Sequence, residues 1–251
     1  MERPHIFAHR GASGYAPENT MAAFRKALEM GADGIELDVH LSKDGHLIVC
    51  HDETLQRTTD GMGWIKDLTL EEIRKYDGGS WFGEGFQGEK VPLLEEVLDL
   101  IQPTKVLLNV EIKNGIVIYP GIERRVINLI RRYALEERTI ISSFYHHSLV
   151  ESKKIDPLIK TGVLYVAGWV EPWEYARKLQ ADALHPAYHN IDAAFVEGCR
   201  TYGIEINTYT VNEEIDMKRL AGIGVTGIIT NYPDKAICMV HQLHGNAAEI
   251  K

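Results

Sequence analysis

Short apolar segments alternate along this chain with longer segments in which apolar residues recur every three or four positions. The first pattern is typical of buried strands, and the second is typical of amphipathic helices. Met21, Phe24 and Ala27 share one side of such a helix, which we expect Asn19 to cap and Gly31 to end. The same reasoning predicts helices at 19–30, 70–76, 93–101 and 121–133. It predicts strands at 5–8, 34–39, 46–50, 105–112, 139–143, 161–166, 183–185, 205–210 and 227–230.

One of these strands differs from the others in its expected direction. Asp44 and Gly45 form a pair favoured in tight hairpin turns, so strand 46–50 is expected to run antiparallel to strand 34–39. Setting this return strand aside leaves eight strands that alternate with helix-like segments. That rhythm over about 250 residues is typical of a TIM (β/α)8 barrel, with an open doubly wound parallel sheet as the alternative.

Residues 52–91 interrupt the alternation and are rich in Gly, Thr, Asp and aromatic residues. Because long segments of this kind usually carry function, we expect a small insertion or lid after the second strand. No linker divides the chain, so we predict one domain over 1–251 that carries this insertion. Trp81, Phe82 and Phe86 either line a wall of the substrate pocket or form a small core within the insertion.

Polar residues collect where four of the N-terminal strands end. In barrels of this class the active site lies at the C-terminal ends of the strands. Charged groups are costly to bury there unless they face a ligand or an ion. We therefore expect one site composed of His9, Arg10, Glu36, Asp38, His51, Glu111 and Lys113.

The residue types in this set indicate metal-assisted chemistry. Glu36, Asp38 and Glu111 offer only oxygen ligands, which favours one hard divalent cation, Mg²⁺ or Ca²⁺, with Mn²⁺ as a further candidate. A predominantly carboxylate set suits zinc less well. His9 and His51 suit general acid–base catalysis, since an unperturbed histidine titrates near neutral pH.

The two basic residues of the set suit the recognition of phosphate. Arg10 offers a planar fork of donors to phosphate oxygens, and Lys113 offers a point charge. Together with a cation they would stabilise the negative charge that develops at phosphorus in the transition state. The whole set therefore predicts a metal-assisted reaction on a phosphate.

Composition narrows the classes of partner. A formal net charge of −9 and a pI near 5.7 argue against nucleic-acid binding. The chain contains no apolar stretch of the length that spans a membrane and no signal-peptide pattern, so we expect no stable membrane anchor. Cys50, Cys199 and Cys238 are few and widely spaced, which favours free thiols and a cytoplasmic location. The sequence leaves the oligomeric state open.

Several motifs resemble those of the glycerophosphodiester phosphodiesterases, and the resemblance covers nearly the whole chain. The N-terminal motifs are the most specific because they are long and follow one another in order. The matching segments are His9-Arg10-Gly11, Pro17-Glu18-Asn19-Thr20, Gly31-Ala32-Asp33, Glu36-Leu37-Asp38-Val39, His51-Asp52, Arg57-Thr58-Thr59, Val91-Pro92-Leu93-Leu94-Glu95, Glu111-Ile112-Lys113, Ser142-Ser143-Phe144, Thr210-Val211-Asn212 and Gly227-Ile228-Ile229-Thr230-Asn231-Tyr232-Pro233.

The resemblance implies a TIM barrel with a small insertion and hydrolysis of glycerophosphodiesters to sn-glycerol 3-phosphate and an alcohol. It implies that His9 and His51 are the acid–base pair. It also implies a divalent ion at Glu36, Asp38 and Glu111, phosphate contacts from Arg10 and Lys113, and a further polar position at Glu18. The nucleophile is either water or the substrate's own glycerol hydroxyl.

The chain departs from the family pattern at Tyr209, where a Trp is common two residues before Val211. This substitution keeps an aromatic wall but changes its shape, which leaves the headgroup preference open. We assign His146 and His147 to the start of a helix, and we expect His185 and His189 near the mouth of the barrel.

Two other functions compete with the main hypothesis. The first is a lysophospholipase D-like enzyme that acts on larger lipid phosphodiesters. The second is a non-catalytic phosphodiester-binding protein. The second alternative is disfavoured because both histidines and all three carboxylates are present.

Overall fold

In a computed structural model, which describes residues 3–245, eight parallel strands close into a barrel. Around the ring they follow the order β1, β9, β8, β7, β6, β5, β4 and β2, and β1 pairs with β2 to close it. The predicted TIM-barrel class is therefore confirmed. The strands of the ring are β1 (His5–His9), β2 (Gly34–Leu41), β4 (Leu107–Ile112), β5 (Thr139–Ser143), β6 (Lys160–Tyr165), β7 (Ala183–Pro186), β8 (Glu205–Thr208) and β9 (Gly227–Thr230).

A short strand, β3 (Leu47–Val49), lies outside the ring and pairs antiparallel with β2. The turn between them is closed by a hydrogen bond of 2.9 Å from the Gly45 N–H to the Ser42 carbonyl. The predicted return strand is therefore present. It carries the chain back towards the C-terminal ends of the barrel strands and into the insertion.

Helices surround the barrel and bury their apolar faces against it. Phe24, Val97 and Val126 pack on one half of the ring, and Val196 and Leu220 pack on the other half. Each fully buried side chain of this size contributes roughly 1.5–3 kcal/mol. The helices are α1 (Met21–Glu29), α2 (Leu70–Ile73), α3 (Leu94–Ile101), α4 (Ile122–Arg132), α5 (His146–Ile155), α6 (Pro172–Leu179), α7 (Ala193–Thr201), α8 (Glu214–Ile223) and α9 (Pro233–Gly245).

The insertion has its own apolar cluster, in which Leu55, Ile65 and Ile73 pack against residues of β3. Trp81, Phe82 and Phe86 pack edge to face in succession. The ring centroids of Trp81 and Phe82 are 5.6 Å apart, and those of Phe82 and Phe86 are 5.4 Å apart. Trp81 is 42% exposed, and the three rings lie outside the buried cluster of Leu55, Ile65 and Ile73. The core of the insertion is therefore formed by other residues than the three that we expected.

Several element ends differ from their predicted positions. Asn19 does not cap α1; the Thr20 side chain accepts from the Ala23 N–H instead. Strand β8 ends at Thr208, two residues earlier than predicted, and β4 begins at Leu107. Helix α2 ends at Ile73. Within residues 3–245, the helices lack the combination of length and apolar character needed to cross a membrane.

Candidate active site

A cavity of about 180 Å³ opens at the C-terminal ends of the strands, and its wall has two halves of different chemistry. The apolar half includes Phe144, Leu164, Tyr209 and Ile229. The polar half includes His9, Arg10, Glu36, His51, Asn109 and Glu111. Such a division suits a ligand that has one charged end and one carbon-rich end.

Three buried carboxylates lie together at the polar side of this cavity. Asp38 and Glu111 face each other across the pairing of β2 with β4, and Glu36 precedes Asp38 on the same face of β2. One oxygen of each carboxylate lies within 4.8 Å of one oxygen of the other two. The structure thus brings together the three residues predicted to bind a metal ion.

The electrostatics of these carboxylates fit a hard cation. Burial and the neighbouring charges of Asp38 and Glu111 raise the pKa of Glu36 well above its usual value. Burial likewise raises the pKa of Glu111 to about 7. For Asp38, the cations Lys113 and Arg10 outweigh burial and hold its pKa below the usual range. Mutual repulsion of buried carboxylates is what a divalent ion relieves, so this donor set suits Mg²⁺ or Ca²⁺.

His9 ends β1 and is partly buried. Its Nδ1 lies 2.7 Å from Oδ1 of Asn231, which follows β9. The Asn231 N–H in turn donates to Oδ1 of Asn212 at 3.0 Å. Burial, with the nearby charge of Arg10, lowers the pKa of His9 to about 4. The imidazole is therefore held in one orientation and in its neutral form.

His51 lies in the segment that follows β3, and its side chain lines the same cavity. Its Nδ1 lies 2.7 Å from Oδ1 of Asp52. Arg57 and His51 both hydrogen-bond to Asp52, and these contacts lower the pKa of that carboxyl to about 2. Asp52 is thus ionised and fixes the proton of His51 on Nδ1, which leaves Nε2 as the other reactive position.

The two basic residues lie beside the carboxylates. Lys113 Nζ is 2.8 Å from Glu111 and 3.6 Å from Asp38. The Arg10 guanidinium donates to Glu18 at 2.7 Å and lies 3.5 Å from Asp38, where its Nε has no hydrogen-bond partner. A buried guanidinium N–H without a partner has donor capacity left for a ligand oxygen.

Comparison with known proteins agrees with this geometry. The glycerophosphoryl diester phosphodiesterase family model matches residues 9–235. The chain belongs to the glycerophosphoryl diester phosphodiesterase family. It is 54% identical over 237 residues to the glycerophosphodiester phosphodiesterase of Caldanaerobacter subterraneus subsp. tengcongensis, an alignment that covers 94% of this chain and 98% of that protein.

Solved structures of the family have the same fold. A phosphodiesterase of Oleispira antarctica, determined in complex with the product sn-glycerol-3-phosphate, matches with a TM-score of 0.85 at 32% identity and covers 95% of this chain and 97% of its own. A glycerophosphodiester phosphodiesterase of Agrobacterium tumefaciens matches with a TM-score of 0.83 at 31% identity, with 94% and 99% covered. The predictions that the chain belongs to this family and is a glycerophosphodiester phosphodiesterase are confirmed.

Three residues hydrogen-bond to site residues, although no role in the site was assigned to them from the sequence. Asn231 fixes His9, and Asn19 donates from Nδ2 to Asp38 at 2.9 Å. His40 follows Asp38 by two residues, and its Nε2 donates to the carbonyl of His51 at 3.1 Å. The alternation of Glu36, Asp38 and His40 along β2 was a usable signal for His40.

The other histidines considered from the sequence lie outside the wall of this cavity. His146 begins α5 and contacts the Leu164 carbonyl at 2.8 Å and the Tyr175 hydroxyl at 3.0 Å. His185 is buried inside the barrel, where Asn207 donates to its Nε2 at 3.1 Å. His189 packs on the ring of its neighbour Tyr188. The expectation that His185 lies at the mouth is wrong, because it fills space beside β6 in the barrel interior.

Proposed function

We propose that the enzyme hydrolyses glycerophosphodiesters to sn-glycerol 3-phosphate and an alcohol with the help of one divalent cation. The observation that carries the proposal is the single cavity that His9, His51 and Arg10 share with two of the three clustered carboxylates. The Oleispira antarctica relative, which has the same fold, was determined with sn-glycerol-3-phosphate as its product.

His9 is assigned the role of general base. An amide oxygen only accepts hydrogen bonds, so the contact with Asn231 Oδ1 places the imidazole proton on Nδ1. Nε2 then carries a lone pair and can take a proton from the attacking hydroxyl. The attacking oxygen forms the new bond to phosphorus. Water gives sn-glycerol 3-phosphate in one displacement, whereas the glycerol hydroxyl gives a cyclic phosphate that water opens in a second displacement with the two histidines in exchanged roles.

His51 is assigned the role of general acid. Asp52 holds its Nδ1–H and stabilises positive charge on the ring, as a carboxylate does for a catalytic histidine. When the bond from phosphorus to the leaving oxygen breaks, His51 donates its Nε2 proton to that oxygen, and the alcohol leaves neutral. A proton gained at His9 and one lost at His51 balance, and exchange with solvent resets both.

Glu36, Asp38 and Glu111 are assigned as ligands of the divalent ion, and Arg10 and Lys113 as phosphate contacts. The ion, when bound, supplies positive charge beside the phosphate oxygens and lowers the energy of the transition state. Arg10 offers its unpaired Nε–H, and Lys113 offers an ammonium held between Glu111 and Asp38. Phe144 and Tyr209, 6.0 Å apart at their ring centroids, form an aromatic wall for the carbon atoms of the substrate.

We further propose that the enzyme acts in the cytoplasm, where released glycerol phosphate enters glycerol and lipid metabolism. Cys50, Cys199 and Cys238 are free thiols, which supports a reducing compartment.

The test is an assay coupled to sn-glycerol 3-phosphate, with glycerophosphocholine, glycerophosphoethanolamine and glycerophosphoglycerol as substrates. Lysophosphatidylcholine is tested beside them with a choline-coupled assay, because its hydrolysis releases choline and lysophosphatidic acid. We expect product in Mg²⁺ or Ca²⁺ and its loss in EDTA. His9→Ala and His51→Ala should each lower kcat by about 10²–10⁴-fold, the range of a general acid or base.

His46→Ala is the matched control, because His46 lies at the turn before β3 and is half exposed. Its kcat should equal that of the unmodified enzyme. Product formed at the unmodified rate in EDTA, or in either His→Ala variant, would contradict the assigned chemistry. Faster turnover of the lysophospholipid than of the water-soluble diesters would favour the lysophospholipase D-like alternative.

A further inference from the structure

Arg57, in the insertion, binds two carboxylates at once with all three nitrogens of its guanidinium. Its Nε and Nη2 donate to the two oxygens of Asp52 at 2.7 and 2.9 Å. Its Nη1 and Nη2 donate to the two oxygens of Glu18 at 2.8 and 2.7 Å. Arg57 therefore joins the insertion to the loop between β1 and α1.

Each of these carboxylates continues to a different residue of the active site. Asp52 holds Nδ1 of His51 at 2.7 Å. Glu18 accepts from Nη1 of Arg10 at 2.7 Å, and the Arg10 main-chain N–H donates to Glu36 at 2.9 Å. A single guanidinium thus lies midway between the residue assigned as general acid and the residue assigned to phosphate binding.

Stability alone is a poor explanation for this arrangement. The Arg57 side chain is 42% exposed, whereas that of Glu18 is 13% exposed. Ion pairs with an exposed partner contribute little to folding, typically about 0–1 kcal/mol. Two bidentate contacts nevertheless fix the planes of both carboxylates, which one point charge cannot do.

We infer that Arg57 is a positioning residue that orients His51 through Asp52 and Arg10 through Glu18; the inference rests on the roles proposed above. The contacts from Arg57 through Asp52 to His51 affect transfer of the proton to the leaving alcohol. The contacts from Arg57 through Glu18 to Arg10 affect how tightly the phosphate is bound. Removing Arg57 leaves Asp52 free to rotate and leaves Glu18 with Arg10 as its remaining cation.

The effect of Arg57 on proton transfer and its effect on phosphate binding can be measured separately by varying the leaving group. The substrates are glycerophosphocholine, whose alcohol needs a proton to leave, and glycerol 3-(4-nitrophenyl phosphate), whose phenolate leaves without one. We expect Arg57→Met to lower kcat on glycerophosphocholine by about 10–100-fold, the usual effect of losing a residue that orients an active-site side chain. Most of kcat should remain on the nitrophenyl ester, and KM should rise on both substrates.

Arg57→Lys should recover part of the lost kcat, because an ammonium restores the charge but not the fork. Arg74→Met is the matched control, since Arg74 lies in the same insertion and pairs with Glu96 on α3. It should match the unmodified enzyme in kcat, KM and Tm. Equal loss of kcat on the two substrates, or no loss on either, would overturn the inference.

Two further variants each alter one of the two carboxylates that Arg57 contacts, and they keep the test decisive if Arg57→Met does not fold. Asp52→Asn should lower kcat on the choline ester alone, and Glu18→Gln should raise KM on both esters. The reverse pattern would also overturn the inference. Failure of the unmodified enzyme on both substrates would instead refute the proposed function itself.

Discussion

At the scale of single residues, the orientation of His9 depends on one amide. Asn231 Oδ1 is its hydrogen-bond partner at 2.7 Å, and Asn212 holds Asn231 in turn. We expect Asn231→Ala to lower kcat by about 10–100-fold with little change in KM, because the proposed base His9 is then free to rotate. Steady-state kinetics on glycerophosphocholine measure the effect.

Asn128→Ala provides the control for this substitution, since Asn128 is an exposed residue of α4. It should leave both kinetic constants unchanged. If Asn231→Ala had the kcat of the unmodified enzyme, the assignment of the His9 proton to Nδ1 by Asn231 would be wrong.

The sequence revealed the charged residues of the site but not most of their partners. Glu36 and Asp38 could be predicted as site residues because alternate strand residues share a face, and because a charge is costly to bury unless it faces a ligand or an ion. Asn231 was not, since it is 222 residues from His9 and an asparagine before a helix is ordinary in a loop. The partner of a catalytic residue is set by which strands become neighbours, and that is a property of the closed ring.

At the scale of elements, the connection from β1 to α1 leaves no room for a side chain at Gly11. Its φ is +78°, and an added Cβ would lie 2.6 Å from the Ala23 carbonyl carbon. We expect Gly11→Ala to lower the free energy of unfolding by about 1–3 kcal/mol, because helix α1 must shift or the backbone must strain. Urea denaturation followed by circular dichroism measures the loss.

Gly222→Ala makes the contrasting control. Gly222 lies within α8, and an added Cβ would meet nothing within 4 Å. Replacing it should stabilise the protein by about 0.5–1 kcal/mol, the usual gain from Gly to Ala in a helix. Equal effects at the two glycines would show that the close approach at Gly11 is relieved at no cost.

Element types followed from periodicity, whereas element ends did not. Strand β8 was predicted to continue to Thr210, yet its pairing with β7 ends at Ile206 and its pairing with β9 ends at Thr208. The β-branched and aromatic residues that follow are consistent with a strand, but Tyr209 and Thr210 line the cavity instead. The ends of a strand are set by what its neighbours pair with, which local sequence does not contain.

At the scale of the whole molecule, buried histidines make stability depend on pH. Burial lowers the pKa of His185 to about 3 and that of His40 to about 4, from an ordinary value of 6.5. Between pH 6.5 and these values the unfolded chain binds protons that the folded protein does not. Stability is therefore full above pH 6.5 and falls as the pH drops, by about 1.4 kcal/mol per pH unit for each histidine.

Replacing one of the two histidines tests this dependence. His185→Gln should flatten the decline of unfolding free energy between pH 6.5 and 5, measured by urea denaturation in the presence of Mg²⁺. An unchanged slope would mean that His185 takes up its proton without unfolding. His5→Gln serves as control, because His5 is an exposed residue at the start of β1.

The contact between His9 and Asn231 also has a consequence for the order in which the enzyme is made. A nascent chain that has emerged as far as Lys113 already carries all three clustered carboxylates and both histidines that we assign to acid–base catalysis. It lacks the amide that orients one of those histidines, which is synthesised 222 residues after it. The proposed metal ligands are therefore all synthesised in the first half of translation, whereas the residue that orients the proposed base arrives only after the last strand of the ring.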